Sequence, residues 1–480
     1  MVDAFIIGAG PTGLTLACEL IKRRLTVRLI EQLTTPTDQS RALAIHSRTL
    51  EVFEKMGILD RFLSSGKRVT QGNIYYKRKR VGGFDFSHLN APHPYILSIP
   101  QAKTEEILAH HFEELGGKIE RGVALKSLEE TASARWIFGC DGAHSTVRHC
   151  LNLLFKGTKL SEGFALADVE IESTLSPDQT HAFFLPHMNG ALIPLPEKNW
   201  FRIIVLTTDQ QTQLTLPYLQ TLFDTLSPIP IKIKQSSWMS VFSVHRRIVP
   251  HMRSGNIFLL GDAAHIHSPF GGQGLNTSIQ DAFNLAWKIA LVHQGLGKEI
   301  LLDSFDQERH LIAKNVLRNT TIGTKIISTK CLKRLCIPLI GWLTKSAAFQ
   351  RRFTTQMSEI DIAYRNSPIV AQHGSWKGPQ AGERAPDLML ENNQRLFPLL
   401  CHPLHTLLCW GVSDSDPLLQ KIRQDFPQTI RIVQMPIGKP NIYNSSLPCF
   451  YLIRPDGIIA YRSRSMDPAP FIDYLSTVFV

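Results

Sequence analysis

The feature that most restricts how this chain can fold is Gly8-Ala9-Gly10-Pro11-Thr12-Gly13, which follows directly on the apolar run Phe5–Ile7. Beyond it, Leu14, Ala17, Cys18 and Ile21 fall on one helical face, and Thr26–Ile30 reads as a second strand ended by Glu31. Strand, glycine turn, helix and strand with a terminal carboxylate make the opening of a dinucleotide-binding βαβ unit. The three glycines have separate tasks. Gly8 makes the tight turn, Gly10 admits a pyrophosphate to the helix N-terminus, and Gly13 lets helix and strand pack closely. Glu31 lies 23 residues beyond Gly8, where a carboxylate can hold a ribose hydroxyl pair.

A second stretch, Gly255–Ala290, repeats the theme with different chemistry. Ile257–Leu260 reads as a buried strand that stops at Gly261-Asp262. A Pro/Gly-rich loop, Ser268–Gly274, leads into a helix with Ile279, Ala282, Phe283, Ala286, Trp287 and Ala290 on one apolar face. The Asp262 carboxylate can accept hydrogen bonds from a polyol. Gly271, Gly272 and Gly274 let the backbone approach a flat ring without Cβ interference. The free N–H groups at the following helix start favour negative charge, such as the N1–C2=O edge of a reduced flavin. A plain strand-to-helix connection needs neither so many glycines nor an Asp-Ala-Ala-His run. A third strand, Arg135–Phe138, runs into Gly139-Cys140-Asp141-Gly142 with Arg148 close behind, placing another carboxylate at a strand's carboxyl end.

Length and charge bound the rest. At 480 residues the chain allows two to four domains. Its formal charge of +11 permits an anionic partner, but the sharpest basic cluster, Lys77-Arg78-Lys79-Arg80, is short and suits a hairpin tip. Anionic cofactors account for a basic surface more simply than nucleic acid, so no nucleic-acid partner is expected. No apolar run reaches membrane-spanning length, and the first strand begins within a few residues of Met1, so neither an integral membrane segment nor a signal peptide is expected. Eight scattered cysteines without CxxC or metal-ligand spacing suit free thiols in a reducing cytoplasm, and no metal site is expected.

With the three motifs in this order, the sequence resembles the class A flavoprotein monooxygenases of the para-hydroxybenzoate hydroxylase fold. In these, an N-terminal GxGxxG, a central DG and a later GD motif serve one FAD. Phe305-Asp306-Gln307-Glu308-Arg309 and Ile360-Asp361-Ile362-Ala363-Tyr364-Arg365-Asn366-Ser367-Pro368 are similar to helical segments of the phenol and pentachlorophenol hydroxylase branch. The resemblance implies an α/β chain: a Rossmann-like FAD-binding domain with an interleaved β-sheet substrate domain, plus a C-terminal thioredoxin-like domain. The expected division is FAD-binding over 1–155 (with strands of the substrate sheet near 72–98), substrate sheet over 156–250, FAD-binding with a helical segment over 251–373, and thioredoxin-like over 374–480.

The resemblance also implies site roles. Gly8, Gly10, Pro11, Thr12 and Gly13 would take the FAD pyrophosphate and Glu31 the adenosine ribose; Arg41 and Gln101 match positions that touch the cofactor. Asp141 would serve both FAD and a transient NADPH or NADH. Gly261 and Asp262 would face the ribityl chain, and Gly271, Gly274, Leu275 and Asn276 the pyrimidine edge. Pro269, Gly272 and Gln273, lining the flavin and its charged edge, are the expected catalytic positions. The implied reaction consumes NAD(P)H and O2 and hydroxylates a small, electron-rich aromatic substrate through a flavin C4a-hydroperoxide. Two departures stand out: a segment shortened between Val123 and Arg135, and Ser278 where many relatives carry glycine.

The middle segment, 156–250, alternates strand-like runs with turns and would roof the flavin. His46, His187, His245 and Arg247 are its neighbourhood's candidates for substrate handling, each more often a surface or structural residue; no tyrosine lies between Asp141 and Tyr218. Residues 325–352, apolar with basic punctuation, suit helices packing on the FAD domain or on a homodimer mate better than a peripheral membrane surface. Gly374–Pro386 reads as a linker. Beyond it the order is βαβββα, with Asp456-Gly457 as a hairpin turn, and without CxxC no dithiol exchange. Two rivals remain: a flavin enzyme of the same fold that inserts no oxygen, reductase-like, and a non-catalytic flavin-binding protein. The WxWxIP motif of flavin-dependent halogenases is absent.

Overall fold

Four short apolar segments pair side by side because each is buried on both faces and can satisfy its backbone only against the others. In the computed structural model they are Val27–Glu31, Val2–Ile7, Ala134–Gly139 and Ile257–Leu259, adjacent and parallel, with Ile119–Arg121 and Arg253–Ser254 at the two edges of a six-stranded sheet. The structure describes residues 2–37, 42–207, 214–390, 393–436, 441–444, 447–465 and 467–480, side chains at 160–162 and 244 excepted. Ile7 lies opposite both Ile30 and Gly139, and Gly139 opposite Leu259. Their carboxyl ends are therefore level.

The second sheet has eight strands. Lys156–Ser173 is paired on one side with Ile231–Ile248 and on the other with Trp200–Thr207, followed by Asn189–Pro194, Gln179–Phe184 and the hairpin Gln71–Tyr76/Lys79–Asp85. That hairpin turns at Lys77-Arg78, both at positive φ, so the basic cluster is a hairpin tip. The strand Ile231–Ile248 and the helix Leu216–Leu226 had no counterpart in the sequence reading. The strand's side chains are largely half-buried or exposed and it carries Gln235-Ser236-Ser237, so its apolar alternation fades. The helix is capped by Thr215 Oγ1, which accepts from the Tyr218 N–H, and buries Leu219, Leu222, Phe223 and Leu226.

A five-stranded sheet closes the chain, in the order Ala371–His373, Ile459–Ser463, Cys449–Ile453, His405–Trp410, Ile430–Met435. From His405 onward the elements run βαβββα as expected, with Gly457 at φ +80° in the hairpin turn. Gly374–Pro386 is not a loose linker. Arg384 is buried in it and pairs with Glu51, which Arg48 also holds at 2.7 Å, and burial of so strong an acid–base cluster binds the segment to the body of the protein.

The Gln273–His293 helix also departs from expectation. Its apolar period predicts an amphipathic helix, but every residue from Asn276 to Val292 is buried. Its polar side is covered because the C-terminal sheet packs there: Lys288 Nζ and Asn284 Nδ2 donate to Glu308 at 2.8 Å, and Arg454 donates to the same carboxylate at 2.6 and 3.0 Å. A helix polar on one side is buried all round when each polar group meets a partner. All eight cysteines are free.

Candidate flavin site

The register places three turns and one carboxylate together at the carboxyl ends of the strands of the six-stranded sheet. Gly8 follows the first strand at φ +103°, and a Cβ there would sit 2.4 Å from Cys140 O and 3.0 Å from Asp141 Cα. The GxGxxG turn thus rests on the DG turn. A Cβ on Gly13 would lie 2.0 Å from Gly8 O, so only glycine lets the Pro11–Lys22 helix fold back onto the strand. A Cβ on Gly261 would meet Thr12 Oγ1 at 2.8 Å, which brings the GD turn against the first helix. Arg148 closes the group. It donates to Ala263 O at 2.9 Å and to Ala143 O at 2.8 Å, tying the GD and DG turns together over the Phe155 ring.

Two observations test whether a flavin dinucleotide fits here. Around Gly10, the N-cap of the first helix, nothing lies within 4 Å of a built Cβ, and no side chain caps that helix. Pro11 has no N–H, and the N–H groups of Thr12 and Gly13 in the first turn carry no side-chain cap, which suits a pyrophosphate. Asp141 Oδ2 accepts from the Val147 N–H at 3.1 Å, while its buried Oδ1 has no partner. A buried carboxylate oxygen without a donor suits a ligand's hydroxyl or amide. Glu31, at the end of its strand, accepts from Ala9 N–H at 2.8 Å and Leu33 N–H at 3.0 Å, so its carboxylate is held beside the glycine turn with lone pairs to spare. The residues present fit FAD.

The remaining positions gather nearby. Gln101 opens a helix, and its Oε1 accepts from Ala42 N–H at 3.3 Å. Asp262 is exposed in a short 3₁₀ turn after its strand. Pro269 is exposed, and Gly271 and Gly272 follow at φ +79° and +66°, conformations that favour glycine. Gln273, Gly274, Leu275 and Asn276 form the first turn of the buried helix, which has no side-chain cap. The Asn276 side chain is fully engaged: Oδ1 accepts from His46 N–H, and Nδ2 donates to Ala44 O and Gly272 O, all at 2.8 Å. It shapes the loop. Arg41 lies outside the described residues.

The residues expected as candidates for substrate handling lie apart. His46 is wholly buried under the glycine loop, with Nε2 donating to Gly271 O at 2.8 Å. Burial pulls its pKa down to about 4, so it stays neutral. His187 is exposed in the turn after Gln179–Phe184. His245 and Arg247 lie on the Ile231–Ile248 strand, opposite Lys159 and Gly157. Burial and then the Arg247 charge lower the His245 pKa.

Several supporting residues carry no sequence motif. Asp281 accepts from His265 Nε2 and Arg309 Nε, both at 2.7 Å, and from the Gly261 N–H at 3.2 Å. Asp168 and Arg202 form a buried pair through two 2.7 Å bonds, and Arg202 reaches Ala42 O at 3.4 Å, joining the eight-stranded sheet to the segment against Gln101. Charged residues inside an apolar helical stretch, such as Asp281 and Lys288, were the available signal, since burial obliges them to find partners. A cleft of about 360 Å³ between the Gln71–Asp85 hairpin and Thr344–Gln350 shares no residue with this site.

Adjacent parallel strand ends carrying a glycine turn, a ribose-type carboxylate, an Asp–Gly turn and a Gly–Asp turn define a dinucleotide-binding flavoprotein site. Residues 1–132 and 126–320 match the family model described as an FAD binding domain. The chain belongs to this family, among the FAD-dependent aromatic monooxygenases. It is 33% identical to an uncharacterised aromatic compound monooxygenase of Bacillus subtilis (strain 168), covering 97% of this chain and 95% of that protein. It is 31% identical to the pentachlorophenol 4-monooxygenase of Sphingobium chlorophenolicum, covering 90% and 85%. The solved anhydrotetracycline hydroxylase of Streptomyces rimosus superposes with a TM-score of 0.82 at 30% identity, over 100% of this chain and 99% of that one.

Proposed function

We propose that this protein is an FAD-dependent, NAD(P)H-consuming monooxygenase that hydroxylates a phenolic or other electron-rich aromatic compound with O2. The observation that carries the reading is the meeting of the three turns at the strands' carboxyl ends, beside an uncapped helix N-terminus and an unpartnered Asp141 oxygen. When bound, FAD supplies the hydride-accepting and oxygen-transferring chemistry. The chain's residues do the rest.

In this reading Gly8–Gly13 hold the pyrophosphate, Glu31 the adenosine ribose, and Arg41 and Gln101 further parts of the cofactor. Asp141 serves the flavin and the nicotinamide donor, NADPH or NADH. Gly261 and Asp262 bind the ribityl chain. Pro269 lines the flavin face, and the loop and uncapped helix start from Gly271 to Asn276 stabilise negative charge along the flavin's pyrimidine edge, the electrostatic task we assign to Gly272 and Gln273. The second sheet roofs the site and excludes water. FAD-binding would occupy 1–155 and 251–373, the substrate sheet 156–250, and a thioredoxin-like fold without CxxC 374–480, with a structural role.

The reductase-like alternative is disfavoured by relatives named as monooxygenases over nearly the whole chain. Oxygen uptake by FAD-loaded protein with NADPH or NADH, across phenols and polycyclic aromatics, separates the two. Uptake stimulated by one compound and insensitive to catalase means coupled hydroxylation. A compound consumed with no oxygen incorporated sinks the monooxygenase reading.

A further inference from the structure

We infer that the outer faces of two successive helices, Ile300–Ser328 and Lys330–Leu343, form a docking surface for an anionic lipid bilayer. The second helix faces the wrong way for a packing helix. Its inner side places Ile337 among Ile74, Tyr76 and Val81, and Gly341 sits so tightly on Val81 that a Cβ would meet it at 2.8 Å. Its outer side carries Leu332, Leu335, Leu339 and Trp342, which are 39%, 71%, 53% and 64% exposed. At 100° per residue these four fall within an arc of about 80°, directly opposite the buried pair. One face of this helix is packed, on the hairpin that carries Ile74, Tyr76 and Val81. The other is a continuous apolar stripe ending in a tryptophan.

Charge selects the occupant. Between His310 and Ser358 the chain carries nine lysines and arginines and no aspartate or glutamate, against a net charge of +11 for the whole protein. On the first helix Lys314, Arg318 and Lys325 are exposed around Ile322, itself 52% exposed. Lys330, Arg334 and Lys345 are exposed on and beside the second. A second copy of the chain would bring this charge against its own likeness, which costs free energy. Anionic headgroups neutralise it while acyl chains take up the stripe, with the tryptophan at the boundary. Among the described residues no helix is long and apolar enough to cross a membrane. The Lys330–Leu343 helix would lie in the plane of the interface, where about 21 Å of helix needs no spanning length.

The test is co-sedimentation of the full-length, FAD-loaded protein with phosphatidylcholine vesicles and with phosphatidylcholine–phosphatidylglycerol vesicles. We expect sedimentation with the anionic vesicles, little with the neutral ones, and release as salt is raised. The double variant Leu335→Ser/Trp342→Ser should weaken partitioning about tenfold or more through lost apolar burial. The variant Lys330→Glu/Arg334→Glu should weaken it by about fivefold for each charge removed, and further for each reversed. All four side chains lie outside the flavin site, so flavin content serves as the control for folding. Wild type that stays in the supernatant with anionic vesicles at low salt overturns the inference, as does either variant sedimenting like wild type. So does a lipid-free dimer that the apolar variant converts to monomer, because the stripe is then a subunit contact.

Discussion

Arg309 Nε donates to Asp281 Oδ1 at 2.7 Å with both side chains wholly buried, and Oδ2 of the same carboxylate holds the Gly261 N–H and His265 Nε2. An ion pair between two helices therefore fixes the backbone of the GD turn. Burial pushes the Asp281 pKa up, but the Arg309 and His265 charges and hydrogen bonds outweigh it and hold the carboxyl below its ordinary value. Asp281→Asn keeps the volume and strands a buried guanidinium. We expect a loss of about 3–5 kcal/mol in urea unfolding, together with reduced flavin content. An unchanged unfolding midpoint would show that the pair does not hold the turn.

Gly10 and Gly13 should separate ligand binding from folding. At Gly13 a Cβ would lie 2.0 Å from Gly8 O, so Gly13→Ala must push the helix off the strand and lower the stability of the apoprotein. At Gly10 a Cβ meets nothing within 4 Å and φ is −73°, which alanine tolerates. Gly10→Ala apoprotein should melt like wild type while its FAD affinity falls about tenfold or more, the methyl taking the space of the pyrophosphate. Equal FAD binding by the two proteins would remove the phosphate from this helix end.

Asp262 is exposed at the end of its strand, in the position assigned to the ribityl hydroxyls. Asp262→Ala should lose flavin on gel filtration, with affinity lower by about tenfold or more for the loss of charge-assisted hydrogen bonds. A variant that retains full FAD content counts against the assignment.

Glu359 is buried and, among the described residues, has no ion-pair partner; it accepts from Thr277 Oγ1 at 3.2 Å and Gln280 Nε2 at 2.5 Å. Burial raises its pKa to about 8, against an ordinary value of 4.5. The folded state then binds a proton that the unfolded state releases, so this group's contribution is full below pH 4.5 and declines as pH rises towards 8. Glu359→Gln, a neutral stand-in for the protonated acid, should remove that decline. The difference in unfolding free energy between variant and wild type should grow in the variant's favour from pH 5 to pH 8. A difference independent of pH would mean that Glu359 is ionised in the fold.

How much of this was legible beforehand follows from the range of the interactions involved. The glycine turns, Glu31, the Asp–Gly turns and the βαβββα order are local: each depends on a few consecutive residues whose allowed φ/ψ, apolar period or missing Cβ restricts the backbone wherever the chain goes. They could be read from residues alone. The level register of four parallel strands, which turns separate motifs into one site, is a consequence of long-range pairing, as are the clamp of Arg148 across two turns and the Asp281–Arg309 pair. The Gln273–His293 helix shows the difference best. Its apolar face was visible in the sequence, but its polar face is buried because Glu308 and Arg454, distant along the chain, arrive to satisfy Asn284 and Lys288. The Lys330–Leu343 helix is the reverse case, its apolar stretch with basic punctuation plain in the sequence and its outward direction set only by what Ile337 and Gly341 meet. Periodicity states that a helix has an apolar side; which way that side faces is decided by tertiary contacts, because burial depends on partners the local sequence does not contain.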